Sequence, residues 1–176
     1  MNSATAARLI LSCTAFAVIP SANAAVANGT FQVLITITKS CAVTAGTGSN
    51  INLGSVAASA VNTSQSNTFT VNCSKATPYF IGLAPSAANG GTTTGSGAMS
   101  SVLNAATNTD KVPYQLNQTS ATGPVWGNTA TTTTVGNGVA GLGTGLAITY
   151  TVYATAASAN YTPDSYADTV TVNVNY

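Results

Sequence analysis

An all-β sandwich of the immunoglobulin-like kind is the fold this sequence predicts, on three observations. Apolar and polar residues alternate with period two in several separate segments. The region after residue 24 has no convincing helix, because β-branched and aromatic residues there alternate with Thr and Asn. Gly, Asn, Ser and Thr gather between these segments, where turns are needed. Period-two alternation gives each strand one buried and one wet face, the pattern of antiparallel sheets. About seven such strands in a chain of 176 residues fit one immunoglobulin-like domain.

The elements follow in chain order. In residues 30–38, Phe31, Val33, Ile35 and Ile37 alternate with Gln32, Leu34, Thr36 and Thr38. A short candidate covers residues 51–56. Phe69 and Val71 then alternate with Thr68, Thr70 and Asn72. Two more short candidates cover residues 79–84 and 112–117. Leu146, Ile148, Tyr150 and Val152 share one face, with Thr149 and Thr151 on the other. At the end, Val170, Val172, Val174 and Tyr176 alternate with Thr171, Asn173 and Asn175. Residues 86–101, with Asn89-Gly90-Gly91 and Gly95-Ser96-Gly97, read as a connection too rich in Gly, Ser and Thr for the core.

The N-terminus predicts the compartment. Arg8 precedes an apolar run over residues 9–19, then Pro20 and Ser21-Ala22-Asn23-Ala24. A short basic start, a brief apolar stretch and an A-x-A end make residues 1–24 a secretory signal peptide. A membrane-spanning helix needs about 20 apolar residues, and this run is shorter. Export places Cys41 and Cys73, an even pair, in an oxidising compartment, where a structural disulfide is expected. It would close a loop of about 32 residues, a constraint of about 3–4 kcal/mol on the unfolded chain.

Composition removes whole classes of function. Only 4% of residues are charged, there is no His, and the acidic residues are Asp110, Asp164 and Asp168. General acid–base catalysis, metal ligation and triad chemistry lack their groups, so neither an enzyme nor a cofactor is expected. A net charge of +1 offers no field to hold a phosphate backbone, and no nucleic-acid partner is expected. Gly136-Asn137-Gly138-Val139-Ala140-Gly141 spells G-x-G-x-x-G, but a further strand rather than a helix follows, so no helix N-terminus faces a pyrophosphate. Asp164 in Pro163-Asp164-Ser165 reads as a turn residue and Asp168 as a strand entrance, in preference to a hydrolytic pair. Lys39, Lys75 and Lys111 read as solvated charges at strand ends. Trp126 is either an exposed ligand-binding ring or, preferably, a buried anchor.

Several segments together resemble the spore coat protein U domain family, which includes the archaic (Csu-type) chaperone–usher pilins. They are residues 30–38 leading into Cys41, Ile51-Asn52-Leu53-Gly54, Val71-Asn72-Cys73, Tyr114-Gln115-Leu116, Val125-Trp126-Gly127 and Thr151-Val152-Tyr153. The most specific is the closing run from Tyr166-Ala167-Asp168 to Val174-Asn175-Tyr176.

The resemblance implies an incomplete immunoglobulin-like sandwich, completed by a donor strand from a neighbouring subunit. A periplasmic chaperone would lend a strand, and an outer-membrane usher would exchange it for the N-terminal strand of the next subunit. Residues 25–38 would form the donor segment, with Phe31, Val33, Ile35 and Ile37 as its inward face, and residues 39–176 the pilin domain. Val170, Val172, Val174 and Tyr176 would border the acceptor groove on a C-terminal strand at an open edge. The alternative makes residues 30–38 the ordinary first strand of a self-contained sandwich. The expected function is therefore a structural fimbrial subunit that forms a homopolymer and reaches the cell surface through the periplasm, supporting attachment or biofilm formation. A spore or cyst coat component and a secreted monomeric binding module are the alternatives.

Overall fold

A computed structural model describes residues 25–176 of the chain; the expected signal peptide lies outside the described residues. Two compact units divide the chain, Met1–Thr36 and Ile37–Tyr176. Residues 25–40 carry no regular secondary structure. The predicted strand over residues 30–38 is thus not the first strand of this chain's own sandwich.

The second unit is all β, with nine strands in two antiparallel sheets. They are β1 (Cys41–Thr44), β2 (Val61–Cys73), β3 (Pro78–Pro85), β4 (Ser96–Ser101), β5 (Lys111–Asn117), β6 (Val139–Leu142), β7 (Ala147–Ser158), β8 (Tyr166–Ala167) and β9 (Val170–Asn175). The larger sheet has the order β1-β2-β7-β5-β4-β8, and the smaller β6-β3-β9. Long β2 and β7 form its spine, in register from Val61 opposite Ser158 to Asn72 opposite Ala147. Their alternation explains the pairing: Phe69, Val71, Val152, Ala154 and Ala156 are buried, while Thr70, Asn72, Thr149 and Thr151 lie on the outer side or partly open to it.

The core joins the two sheets. Trp126 is buried and donates from Nε1 to the carbonyl of Ile81 on β3 at 3.0 Å, which satisfies its one polar atom. Its ring lies 5.7 Å from that of Phe69 and 6.4 Å from that of Tyr150. Tyr79 and Tyr150 share a hydrogen bond between their hydroxyls at 2.8 Å. Trp126 is therefore the anchor that the sequence favoured over an exposed ring.

The disulfide joins Cys41 and Cys73, which face each other across β1 and β2. The backbone N–H of Ser74 donates to the carbonyl of Ser40 at 2.9 Å and continues the pairing past the bridge. Replacing Cys73 with Ser should cost about 3–4 kcal/mol through the released 32-residue separation. Denaturant unfolding of the variant against the oxidised parent measures it.

Three predicted elements differ. Residues 51–56 form no strand: Ile51 and Leu53 are half-buried and Asn52 and Gly54 exposed, but no neighbouring strand pairs with them. Gly54 adopts φ 83, and its N–H donates to Asn52 Oδ1 at 2.9 Å, so a local turn replaces a ladder. Residues 86–101, predicted as connection, end in β4, which pairs with β5. Gly97 there lies opposite Tyr114, and a Cβ on it would come within 2.6 Å of the tyrosine ring. The small residues of β4 make room for that ring while the backbone carries the pairing. Tyr176 lies beyond β9, which ends at Asn175. The G-x-G-x-x-G run, read as a flexible loop before a further strand, instead enters β6 at Val139, which pairs with β3.

Candidate functional site

An open groove of about 1240 Å³ runs along the sandwich. Its floor is the edge of the hydrophobic core: Phe69 of β2, Leu83 of β3, Val112 and Leu116 of β5, and Val152 and Ala154 of β7, each buried, line it from below. One wall is β9, through Val170 and Val172. The segments 45–56 and 158–169 form the rest of the rim. A small-molecule pocket spans about 300–1,000 Å³ and places a few polar groups around one ligand. This groove is larger and is floored by aliphatic and aromatic side chains from four strands.

Strand β9 is the edge of the three-stranded sheet, paired on one side with β3 from Pro85 opposite Val170 to Phe80 opposite Asn175. The C-terminal strand thus sits at an edge, as the sequence suggested. Val170, Val172 and Val174 are half-buried and pack on the core; Val170 and Val172 face the groove, whereas Val174 is not part of its lining. Tyr176 is exposed.

The residues of the expected donor face are the most exposed large apolar side chains of the described chain. Phe31 and Val33 are 88% exposed, Ile35 85% and Ile37 82%. Leu34, on the opposite face of an extended segment, is exposed as well. Such an alternating, unpaired apolar run is a ready template for pairing with another chain.

The polar rim is held by its own hydrogen bonds. Asp164 accepts from Ser101 Oγ at 2.5 Å, from Asn108 Nδ2 at 3.0 Å and from the N–H of Ser165 at 2.7 Å. The Ser101 hydroxyl leads in holding its carboxyl down to about 2. Asp110 accepts from the N–H of Thr162, which lowers its carboxyl too. Asp168 accepts from Tyr114 OH at 2.7 Å and from Asn89 Nδ2 at 2.8 Å. Asp164 and Asp168 are thus each tied to different neighbours, as turn and strand-entrance residues. Among the described residues no group of His, Cys, Asp and Glu could hold a metal ion.

Burial, followed by the nearby Asp168, pushes the Tyr114 phenol above its ordinary 10.0, and burial with the Tyr79 hydrogen bond does the same to Tyr150. A raised folded value stabilises the neutral form, so this contribution is complete below pH 10 and is lost as pH rises beyond it. Thermal melts should therefore fall above about pH 10, and Tyr114→Phe should weaken that decline.

The groove side chains Phe69, Leu83, Leu116, Val152 and Ala154 were legible as apolar strand positions, but nothing in their local pattern marked them as lining a groove. Residues 51–56 were missed as rim because their alternation imitates a paired strand.

A two-sheet antiparallel sandwich with an open apolar groove beside an edge strand defines the class. The Spore Coat Protein U domain matches residues 27–173, and the chain belongs to that family. Among solved structures it is similar to the "CsuC-CsuE chaperone-tip adhesion subunit pre-assembly complex from archaic chaperone-usher Csu pili of Acinetobacter baumannii", with 18% identity and a TM-score of 0.48. That likeness covers 80% of this chain and 40% of the other, so this chain spans less than half of its length. No curated protein matches the chain.

Proposed function

We propose that the protein is a structural subunit of a surface fimbria, assembled by donor-strand exchange between copies of this chain. The observation that carries it is the pairing of features: an open groove lined by apolar core side chains beside edge strand β9, and an unpaired alternating apolar segment at residues 31–37. The lengths agree. Six residue steps from Phe31 to Ile37 extend about 20 Å, and β9 extends about 17 Å. The chemistry agrees too, since an added strand supplies backbone partners to β9 and alternate side chains to the floor.

Residues 25–38 act as the donor and residues 39–176 as the acceptor domain, with residues 1–24 removed on export. Before assembly a periplasmic chaperone covers the groove, and an outer-membrane usher exchanges it for the next copy's donor. The complex named for the similar solved structure, a chaperone with a pilus subunit, is in keeping with that route. The subunit works by packing, without catalysis, and the filament serves attachment or biofilm formation.

A synthetic peptide of residues 25–38 tests this. Added to a chain lacking those residues, it should bind and raise the melting temperature, whereas a peptide with Val33 and Ile35 both changed to Asp should not. Equal effects of the two peptides, or none from either, would contradict the proposal.

A further inference from the structure

Away from the donor segment, a polar cluster joins the turn after β3, strands β4 and β5, and the approach to β9. Lys111 opens β5; its Nζ donates to Asn89 Oδ1 at 2.6 Å and to Ser100 Oγ at 2.5 Å. The Ser100 hydroxyl donates to the same Asn89 oxygen. Across the amide, Asn89 Nδ2 donates to Asp168 Oδ1 at 2.8 Å, and Tyr114 OH fixes Asp168 Oδ2 at 2.7 Å. An amine, an amide with two donors on its oxygen, and a carboxylate on its nitrogen therefore stand in one line. Both hydrogen-bond acceptors of Lys111 are neutral, so an ordinary ion pair does not explain the arrangement.

We infer that Lys111 and Asn89 join in an intramolecular amide bond once the domain has folded. Nζ lies no farther than about 3.8 Å from Asn89 Cγ, because it is 2.6 Å from an oxygen about 1.2 Å from that carbon. Held in such proximity, an amine and an amide react at a high effective concentration. Unprotonated Nζ attacks Cγ and a carbon–nitrogen bond forms. The charge gathering on Oδ1 meets the Ser100 hydroxyl, a donor already in place. The Cγ–Nδ2 bond then breaks and Nδ2 leaves as ammonia. The proton that Nζ gives up goes to solvent at this exposed site. Asp168, an acceptor at both oxygens, takes up a proton from solvent and passes it from Oδ1 to the adjoining Nδ2 as the bond breaks. Amine plus primary amide gives secondary amide plus ammonia, and no oxidant, metal or further reactant enters. The reaction happens once per chain and ammonia diffuses away, so a slow step suffices.

The bond would close a 22-residue separation around β4, a strand of Ser, Gly, Ala and Met with little apolar area to hold it. It restrains the unfolded chain as a disulfide does, at a place far in sequence from Cys41.

Mass spectrometry of the exported, disulfide-bonded chain tests the inference. The expected mass is about 17 Da below that of the oxidised sequence without its signal peptide, one ammonia lost. Trypsin should also fail to cut after Lys111, leaving residues 76–176 as one peptide that carries the deficit. A succinimide at Asn89-Gly90 would lose the same mass, and Lys111→Arg separates the two, because Arg keeps the cation but cannot form this bond. Full sequence mass in Lys111→Arg supports the cross-link; a persisting deficit there overturns it. Full sequence mass in the parent after prolonged incubation at alkaline pH, with normal cleavage after Lys111, overturns it as well. Asp168→Asn should leave a measurable fraction of chains unlinked, and complete linkage in that variant would refute the role given to the carboxylate. None of these readings depends on whether the chain polymerises.

Discussion

Cells producing the Ile35→Arg chain should carry no filaments by electron microscopy, while soluble, disulfide-bonded subunit still accumulates with its chaperone. Ile35 is 85% exposed within its own chain, so the substitution costs the isolated subunit almost nothing. In a neighbour's groove the same position would meet an apolar floor, with Asp164 and Asp168 at the rim already held by their own hydrogen bonds. An uncompensated buried charge costs several kcal/mol. The lost apolar contribution adds to that, out of about 6–12 kcal/mol gross for Phe31, Val33, Ile35 and Ile37 together. That sum is an upper bound against an extended reference chain. Thr36→Arg, on the opposite face of the same segment, should assemble close to the parent level. Equal assembly by both variants would show that the alternation does not set the buried face.

The pattern of residues 30–38 shows how far the sequence could be read and where it stopped. Its alternation is as regular as that of residues 170–175, yet one is paired in its own sheet and the other is not. Period two reports a face to be buried and says nothing of whose core buries it. Conversely, β4 was hidden because Ser and Gly carry no apolar signal, although backbone pairing to β5 needs none. The polar first half of β2 was hidden for the same reason, since only Phe69, Val71 and Cys73 are buried along it. Trp126 and the disulfide were legible because each follows from local chemistry: one large ring, and the pair of thiols that remains after residue 24. The groove was legible only as an implication of resemblance. Its floor comes from β2, β3, β5 and β7, which the fold alone brings together. The Asn89, Ser100, Lys111, Asp168 cluster was out of reach too, since its members are scattered over four elements.

The second large effect comes from moving the donor segment. A chain lacking residues 25–38 keeps the groove and loses the strand proposed to fill its neighbour's. It should be prone to aggregation, with the backbone edge of β9 and the apolar groove beside it left without a strand. Re-attaching residues 25–38 after Tyr176 through a short flexible linker makes strand addition intramolecular, at an effective concentration in the mM range. Four apolar side chains then become buried in the same molecule, and the backbone edge of β9 gains a partner. The rearranged chain cannot polymerise, because its own segment fills its groove.

Size-exclusion chromatography with thermal melts on the parent, truncated and rearranged chains tests this most directly. The account predicts an aggregating truncated chain, a self-associating parent, and a rearranged chain that is monomeric with a melting temperature well above both. A parent that is already monomeric and melts at the same temperature as the rearranged chain would contradict it.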